Sequence, residues 1–175
     1  KTRIGFTSED EWSSIWPLLS KYPASELIIH PRTRCQFYTG IPHEPSYAFA
    51  ASSSKIPLVY NGDLFTVEAY QKFCETFPGI DCVMLGRGIL RNPCLLDQIQ
   101  QNGDVDYGKI RLFHEDVLNG YTEAFSGDKP VLFKMKELWN WWAVMFPGKE
   151  KILKKIKKAT TLAEYRILVN ALWEN

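Results

Sequence analysis

Short apolar runs in the first half of the chain each end abruptly in polar or glycine-rich residues. Their endings recur at roughly 25–30 residue intervals, and the sequence between them has the apolar spacing of helices, which is typical of βα units in a parallel sheet. The predicted strands are residues 1–5, 26–30, 57–60 and 82–85. The predicted intervening helices are residues 7–22, 47–53 and 66–76, with another beginning at residue 92.

The second half of the chain has a different pattern. Past residues 101–104 the apolar residues keep helical spacing to the end of the chain. The predicted helices are residues 107–125, 131–146, 149–159 and 162–172. We therefore predict an α/β domain of about four parallel βα units over residues 1–103, followed by a small all-α helical bundle domain over residues 104–175.

The bulk composition is that of a globular protein. The 175 residues are 45% hydrophobic and 14% aromatic, which is enough to bury a core. The chain has no apolar stretch of roughly 18 residues and no signal-like opening, so we expect a cytoplasmic protein with no membrane partner. The four cysteines form no C-x-x-C pair, and we interpret them as reduced core fillers without a disulfide or metal role.

Charge divides the chain unevenly. Residues 1–128 carry 11 Lys and Arg against 16 Asp and Glu, whereas residues 129–175 carry 10 against 4. The lysines predicted to contact nucleic acid are Lys151, Lys154, Lys155 and Lys158. Such a cluster neutralises phosphates along a nucleic-acid backbone, but it is equally compatible with a solvated helix face. We interpret the tryptophans of residues 139–142 as bundle core in preference to base-stacking platforms.

The strand ends supply the candidate site. Ligands of parallel α/β sheets lie beyond the carboxyl ends of the strands, so we expect side chains from all four strand ends to line one common pocket. The residues at these ends are Lys1, His30, Asn61, Gly62, Asp63, Gly86 and Arg87. The glycines let backbone N–H groups face outward, and with Arg87 they predict a phosphate cradle. Plain turns and a surface arginine are the alternative.

Arg32 and Arg34 follow His30 closely, so an imidazole and guanidinium groups can face an anionic or carbonyl-rich ligand. A structural histidine at a strand end remains the alternative. Lys1 is a cation able to hold a charged ring system. The chain has no Ser-His-Asp arrangement, metal-ligand cluster or paired-carboxylate signature, so hydrolytic and metal chemistry are disfavoured.

Taken together, these residues resemble the tRNA-dihydrouridine synthase family. The resemblance rests on four ordered motifs and extends more loosely to residues 133–138 and the lysine-rich tail, so it covers nearly the whole chain. The motifs are residues 1–5, residues 30–34 with 38–40, residues 57–63, and residues 84–88 followed by 91–93. Pro31 departs from the glycine of many relatives, which stiffens the loop but leaves His30 and Arg32 in place.

The resemblance implies a fold and a chemistry. The fold is a TIM barrel that binds FMN, followed by a helical domain that helps hold tRNA, and this chain would carry the C-terminal half of the barrel plus that domain. NADPH reduces the flavin, which passes hydride to C6 of a uracil, and a cysteine protonates C5. Lys1 and His30 would contact the flavin ring, Asn61, Gly62 and Asp63 its ribityl-phosphate region, and Gly86 and Arg87 its phosphate, while Arg32 and Arg34 face the substrate.

The resemblance places the proton-donating cysteine in the missing N-terminal half-barrel, before residue 1, so this chain carries no catalytic residue. We expect the 175-residue chain alone to be inactive and to self-associate through exposed strand edges. The alternatives are another FMN-dependent TIM-barrel oxidoreductase acting on a small molecule, against which the basic tail argues, and a non-catalytic tRNA-binding module.

Overall fold

The computed structural model describes residues 1–101 and 103–174. Asn102, in the predicted junction, and Asn175, at the end of the predicted helical domain, lie outside the described residues. The chain divides into two compact units, Lys1–Arg87 and Gly88–Asn175. The division falls earlier than the predicted boundary after residue 103, and the assignment of separate roles to two domains stays a prediction.

A small parallel sheet forms the first unit's framework. Strands β1 (Thr2–Arg3), β2 (Leu27–His30) and β3 (Leu58–Tyr60) pair in that order. All run in one direction, so their carboxyl ends share one edge of the sheet. β1 is the first strand in this order, and an edge strand can pair with a strand of another chain. Self-association through β1 stays a prediction.

The predicted strand over residues 82–85 is reduced to a single parallel bridge between Tyr60 and Val83. The segment still runs beside β3, because Tyr60 N donates to Cys82 O at 3.3 Å and Met84 N donates to Tyr60 O at 2.7 Å. The ladder does not continue to Leu85. Met84 is nevertheless held at the same edge of the sheet as the ends of β1 to β3.

Helices α1 (Trp12–Leu19), α2 (Glu44–Ala51) and α3 (Val67–Thr76) join the sheet in one core. Thr66 caps α3, as Ala69 N donates to its hydroxyl at 3.1 Å. The largest buried side chains of this core are aromatic, and they pack against one another across the elements. They are Trp12, Trp16, Tyr47, Tyr60 and Phe73.

The second unit is helical. After the short helix α4 (Arg87–Arg91), its elements are α5 (Leu95–Gln101), α6 (Tyr107–Ala124), α7 (Asp128–Trp142), α8 (Glu150–Lys158) and α9 (Leu162–Trp173). These agree with the predicted helices to within a few residues. Trp139 and Trp142 are buried, which confirms their interpretation as core. Thr161 caps α9 by accepting from Glu164 N at 3.1 Å.

Within the described residues, no helix combines the length and apolar character needed to cross a membrane. In the same residues, no group of three or more His, Cys, Asp or Glu side chains is arranged to hold a metal ion. The cysteines are free thiols. Cys94 is buried, but the core-filler interpretation is wrong for Cys35 and Cys82, since both lie exposed at the surface beside charged neighbours.

Candidate functional site

One carboxylate connects three of the strand ends. Arg32 Nη1 and Nη2 donate to the Asp63 oxygens at 3.0 and 2.5 Å, and Arg87 Nη2 donates to Asp63 Oδ1 at 2.5 Å. Arg32 Nη1 also lies 3.3 Å from His30 Nε2. Although partial burial favours the neutral acid, the hydrogen bonds from Arg32 and the charges of Arg32 and Arg87 hold the pKa of Asp63 below its usual value. Asp63 is therefore a carboxylate shared by two guanidinium groups.

The other predicted strand-end residues meet at Met84. Asn61 Nδ2 donates to the backbone carbonyl of Met84 at 2.7 Å, and Lys1 Nζ lies 3.2 Å from Met84 Sδ. Lys1, predicted at a strand end, instead precedes β1 and reaches Met84 only through its long side chain, whereas Asn61 directly follows β3. Together with the contacts of Asp63, this places His30, Asn61 and Arg87 along one edge of the sheet, which the Lys1 side chain reaches at Met84.

Arg32 belongs to the scaffold of this edge. Its side chain is 0% exposed, and all five N–H donors are used, because Nε donates to Thr39 O at 3.1 Å and Nη2 donates to Gly40 O at 2.6 Å in addition to the bonds above. Contact of Arg32 with substrate or RNA stays a prediction, and in this structure every N–H of the buried guanidinium already donates within the chain. Arg32 ties the loop at residues 39–40 to Asp63.

His30 is neutral in this environment. Burial, reinforced by the positive charges of Arg3, Arg32 and Lys1, lowers the pKa of His30 to about 4. A guanidinium can only donate, so the contact with Arg32 makes Nε2 the acceptor and puts the ring proton on Nδ1. His30 therefore offers an N–H donor at neutral pH and no charge.

Aromatic rings hold the partly exposed arginine of the site. The Arg87 guanidinium carbon lies 4.3 Å from the ring centre of Tyr38 and 5.2 Å from that of Phe65. Arg3 lies 5.7 Å from the same Tyr38 ring and donates to Thr33 O at 2.6 Å. Sequence reasoning assigned no role to Arg3.

The two glycines of the predicted phosphate cradle differ in the space around them. At Gly62 a Cβ would lie 2.7 Å from the Tyr60 hydroxyl, so packing excludes a side chain there. The left-handed backbone falls on the next residue, Asp63, whose φ is 42°. At Gly86 a Cβ would have no heavy atom of the described residues within 4 Å. Only Gly86 therefore leaves room for a ligand to approach its backbone.

Gly62→Ala is expected to destabilise the first unit by about 1–3 kcal/mol, because the added methyl group overlaps the Tyr60 hydroxyl in a packed environment. Gly79→Ala is the matched control, since a Cβ there also has no neighbour within 4 Å in the part of the chain that the structure describes. Urea unfolding of both variants measures the difference. Equal stabilities would contradict the packing role of Gly62.

The remaining predicted contacts lie outside this cluster. Arg34 is exposed and lies with its guanidinium carbon 4.7 Å from the Phe37 ring centre. Lys151, Lys154, Lys155 and Lys158 are exposed on α8 in the second unit. Their side chains form a basic surface, while Leu153 and Ile156 of the same helix are buried.

Comparison with known proteins identifies what this chain is similar to. Residues 1–171 match the family model described as dihydrouridine synthase. A tRNA-dihydrouridine(16) synthase of Neisseria meningitidis is 24% identical over 177 residues, covering 98% of this chain and 53% of the relative. A probable tRNA-dihydrouridine synthase of Rickettsia prowazekii is 36% identical over 103 residues, covering 57% of this chain and 30% of the relative. An Aquipseudomonas alcaligenes tRNA-dihydrouridine(16) synthase is 29% identical over 99 residues, covering 57% and 31%.

Proposed function

This chain belongs to the dihydrouridine synthase family, and from that premise we propose that it is part of a flavin-dependent tRNA-dihydrouridine synthase. Such an oxidoreductase reduces uridine in tRNA to 5,6-dihydrouridine with NADPH. The chain spans 53% of the Neisseria relative, so the activity is proposed for the whole protein. The observation that carries the proposal is the gathering of a neutral His30, Asn61 and Arg87 at the carboxyl edge of the parallel sheet, which the Lys1 side chain reaches at Met84.

We propose that the first unit is half of a TIM barrel whose strand ends hold FMN. Parallel strands that end at one edge are the arrangement in which such barrels bind ligands. Cations outnumber carboxylates around His30 and Asp63, because Lys1, Arg3 and Arg32 act on His30, and Arg32 and Arg87 pair with Asp63. This balance fits an anionic cofactor.

The individual residues suit the parts of that cofactor. Lys1 is exposed and would hold the flavin ring with its ammonium group, and His30 would offer a neutral N–H donor to it. Arg87 is partly exposed and the backbone of Gly86 is open, which suits a phosphate. Asp63 would position Arg87 for that phosphate, because it accepts from Arg87 Nη2 while the guanidinium lies over Tyr38. When bound, the flavin supplies the hydride for C6 of the uracil.

We propose that Arg34 and the α8 lysines Lys151, Lys154, Lys155 and Lys158 grip tRNA phosphates. All are exposed, and α8 presents its lysines as one basic surface. Contacts of this kind release counterions and therefore weaken steeply with salt. The uridine to be reduced must be splayed out of the tRNA to reach the flavin.

The experiment is dihydrouridine formation in tRNA that lacks the modification, measured by mass spectrometry after reaction with the full-length protein and NADPH. We expect a mass gain of two hydrogens per modified uridine and its loss in Arg87→Ala, with Arg111→Ala of the second unit as the control. Flavin-dependent NADPH oxidation without any change in tRNA would contradict the proposal and favour a small-molecule oxidoreductase. Uridine reduction by residues 1–175 alone would contradict the upstream position of the proton-donating cysteine.

A further inference from the structure

An open apolar groove of about 660 Å³ lies in the second unit, between the turn that follows α7 and helix α8. Its floor is formed by Val144, Phe146, Pro147 and Leu153. Val144 is 60% exposed, so a branched apolar side chain faces solvent in the groove. The volume falls within the range of roughly 300–1,000 Å³ that is typical of small-ligand sites.

One wall of the groove is cationic. Lys154, Lys157 and Lys158 line it, and the helical rise sets Lys154 and Lys158 about 6 Å apart along the axis of α8. The acid at the rim is Glu150, and its carboxylate accepts from Gly148 N at 3.0 Å. Three positive charges against one carboxylate that the backbone already engages favour an anionic ligand.

The combination of an apolar floor with a lysine wall selects among anions. A duplex presents phosphates to a protein while its base faces stay stacked inside, so it would use the wall and leave the floor bare. A nucleotide in a single strand offers both a flat apolar base and adjacent phosphates. It is the anion that covers Val144 and Pro147 while its charge lies against Lys154 and Lys158.

Resting on the proposed function, we propose that this groove holds an unstacked nucleotide of a single-stranded segment of the RNA substrate. Its base packs on Val144 and Pro147, and its phosphates contact Lys154 and Lys158. The groove thereby reads single-stranded RNA structure, which a purely basic helix face does not do.

The test measures binding of the 175-residue chain to a fluorescent oligouridylate and to an RNA duplex of equal charge by anisotropy. Val144→Glu should weaken oligouridylate binding roughly tenfold, because a carboxylate replaces the surface on which the base packs, and should weaken duplex binding much less, because there it acts only through its charge beside the lysines. Ile167→Glu is the matched control, since Ile167 is 69% exposed on α9 away from the groove. Val144→Tyr should strengthen oligouridylate binding several-fold by adding a stacking ring.

Several results would overturn the proposal. If Val144→Glu and Ile167→Glu weaken oligouridylate binding equally, the effect comes from added charge and not from the groove. If Val144→Glu weakens single-strand and duplex binding equally, the groove contacts only the RNA backbone. If polyglutamate binds as tightly as oligouridylate, the groove is a site for acidic protein. If the unsubstituted chain does not bind oligouridylate, the proposed nucleotide site does not exist. Because the readout needs no flavin, failed uridine reduction with intact oligouridylate binding would overturn the proposed function alone.

Discussion

Asp63→Ala is expected to lower the free energy of unfolding by about 3–5 kcal/mol, the usual cost of leaving a buried charge without its partner. Arg32 is 0% exposed and donates to both Asp63 oxygens, so the substitution leaves a guanidinium in the protein interior without its counter-ion. The same change frees Arg87, which pairs with Asp63 Oδ1 at 2.5 Å. Urea unfolding followed by circular dichroism measures the loss.

Asp81→Ala is the matched control for this prediction, because Asp81 is an exposed aspartate of the same unit. A double-mutant cycle with Arg32→Met separates the ion pair from the site as a whole. Removing both charges should cost less than the sum of the single substitutions, since no buried charge then remains unpaired. An Asp63→Ala variant as stable as Asp81→Ala would contradict the structural role of this carboxylate.

Tyr165→Phe is expected to destabilise the second unit by about 2–4 kcal/mol, because it leaves two buried polar groups without a partner. Trp139 Nε1 donates to the Tyr165 hydroxyl at 2.8 Å, and that hydroxyl lies 2.7 Å from His114 Nε2. Trp139, Tyr165 and His114 are all at most 1% exposed. Burial lowers the pKa of His114, with Glu115 opposing, so Nε2 is the natural acceptor of the tyrosine proton.

Tyr121→Phe is the control, since it removes a hydroxyl from a partly buried tyrosine of α6 and keeps the ring beside Phe125. Thermal unfolding of the two variants should separate them by several degrees. If Tyr165→Phe unfolds at the same temperature as Tyr121→Phe, the chain of hydrogen bonds through Tyr165 contributes nothing to stability.

Local sequence signals predicted much of the architecture. The apolar spacing after residue 107 yields the observed helices α6 to α9. The extent of strand pairing did not follow from the apolar runs, since residues 82–85 are all apolar yet give a single bridge, whereas the polar pair Thr2–Arg3 forms β1. The meeting of the strand ends followed from the rule that parallel strands end at one edge.

The chemistry within the site depended on contacts that sequence patterns do not encode. Arg32 and Asp63 are 31 residues apart in the chain, and nothing next to Arg32 indicates that a carboxylate would bury it. The reason for Gly62 is likewise a close approach of the Tyr60 hydroxyl, which a turn signal cannot distinguish from a strained backbone. The hydrogen bond between His114 and Tyr165 joins residues 51 positions apart, and sequence patterns do not encode it for the same reason.

The most direct measurement for the central claim is the dissociation constant of FMN for the full-length protein, read from flavin fluorescence. If the strand ends form one flavin site, Arg87→Ala weakens FMN binding roughly tenfold or more, since a charge-assisted contact to phosphate is lost. Arg34→Ala, an exposed arginine outside the contacts of Asp63, should bind FMN as the unsubstituted protein does. Unchanged FMN affinity in Arg87→Ala, or equal losses in both variants, would contradict a shared flavin site at this edge of the sheet.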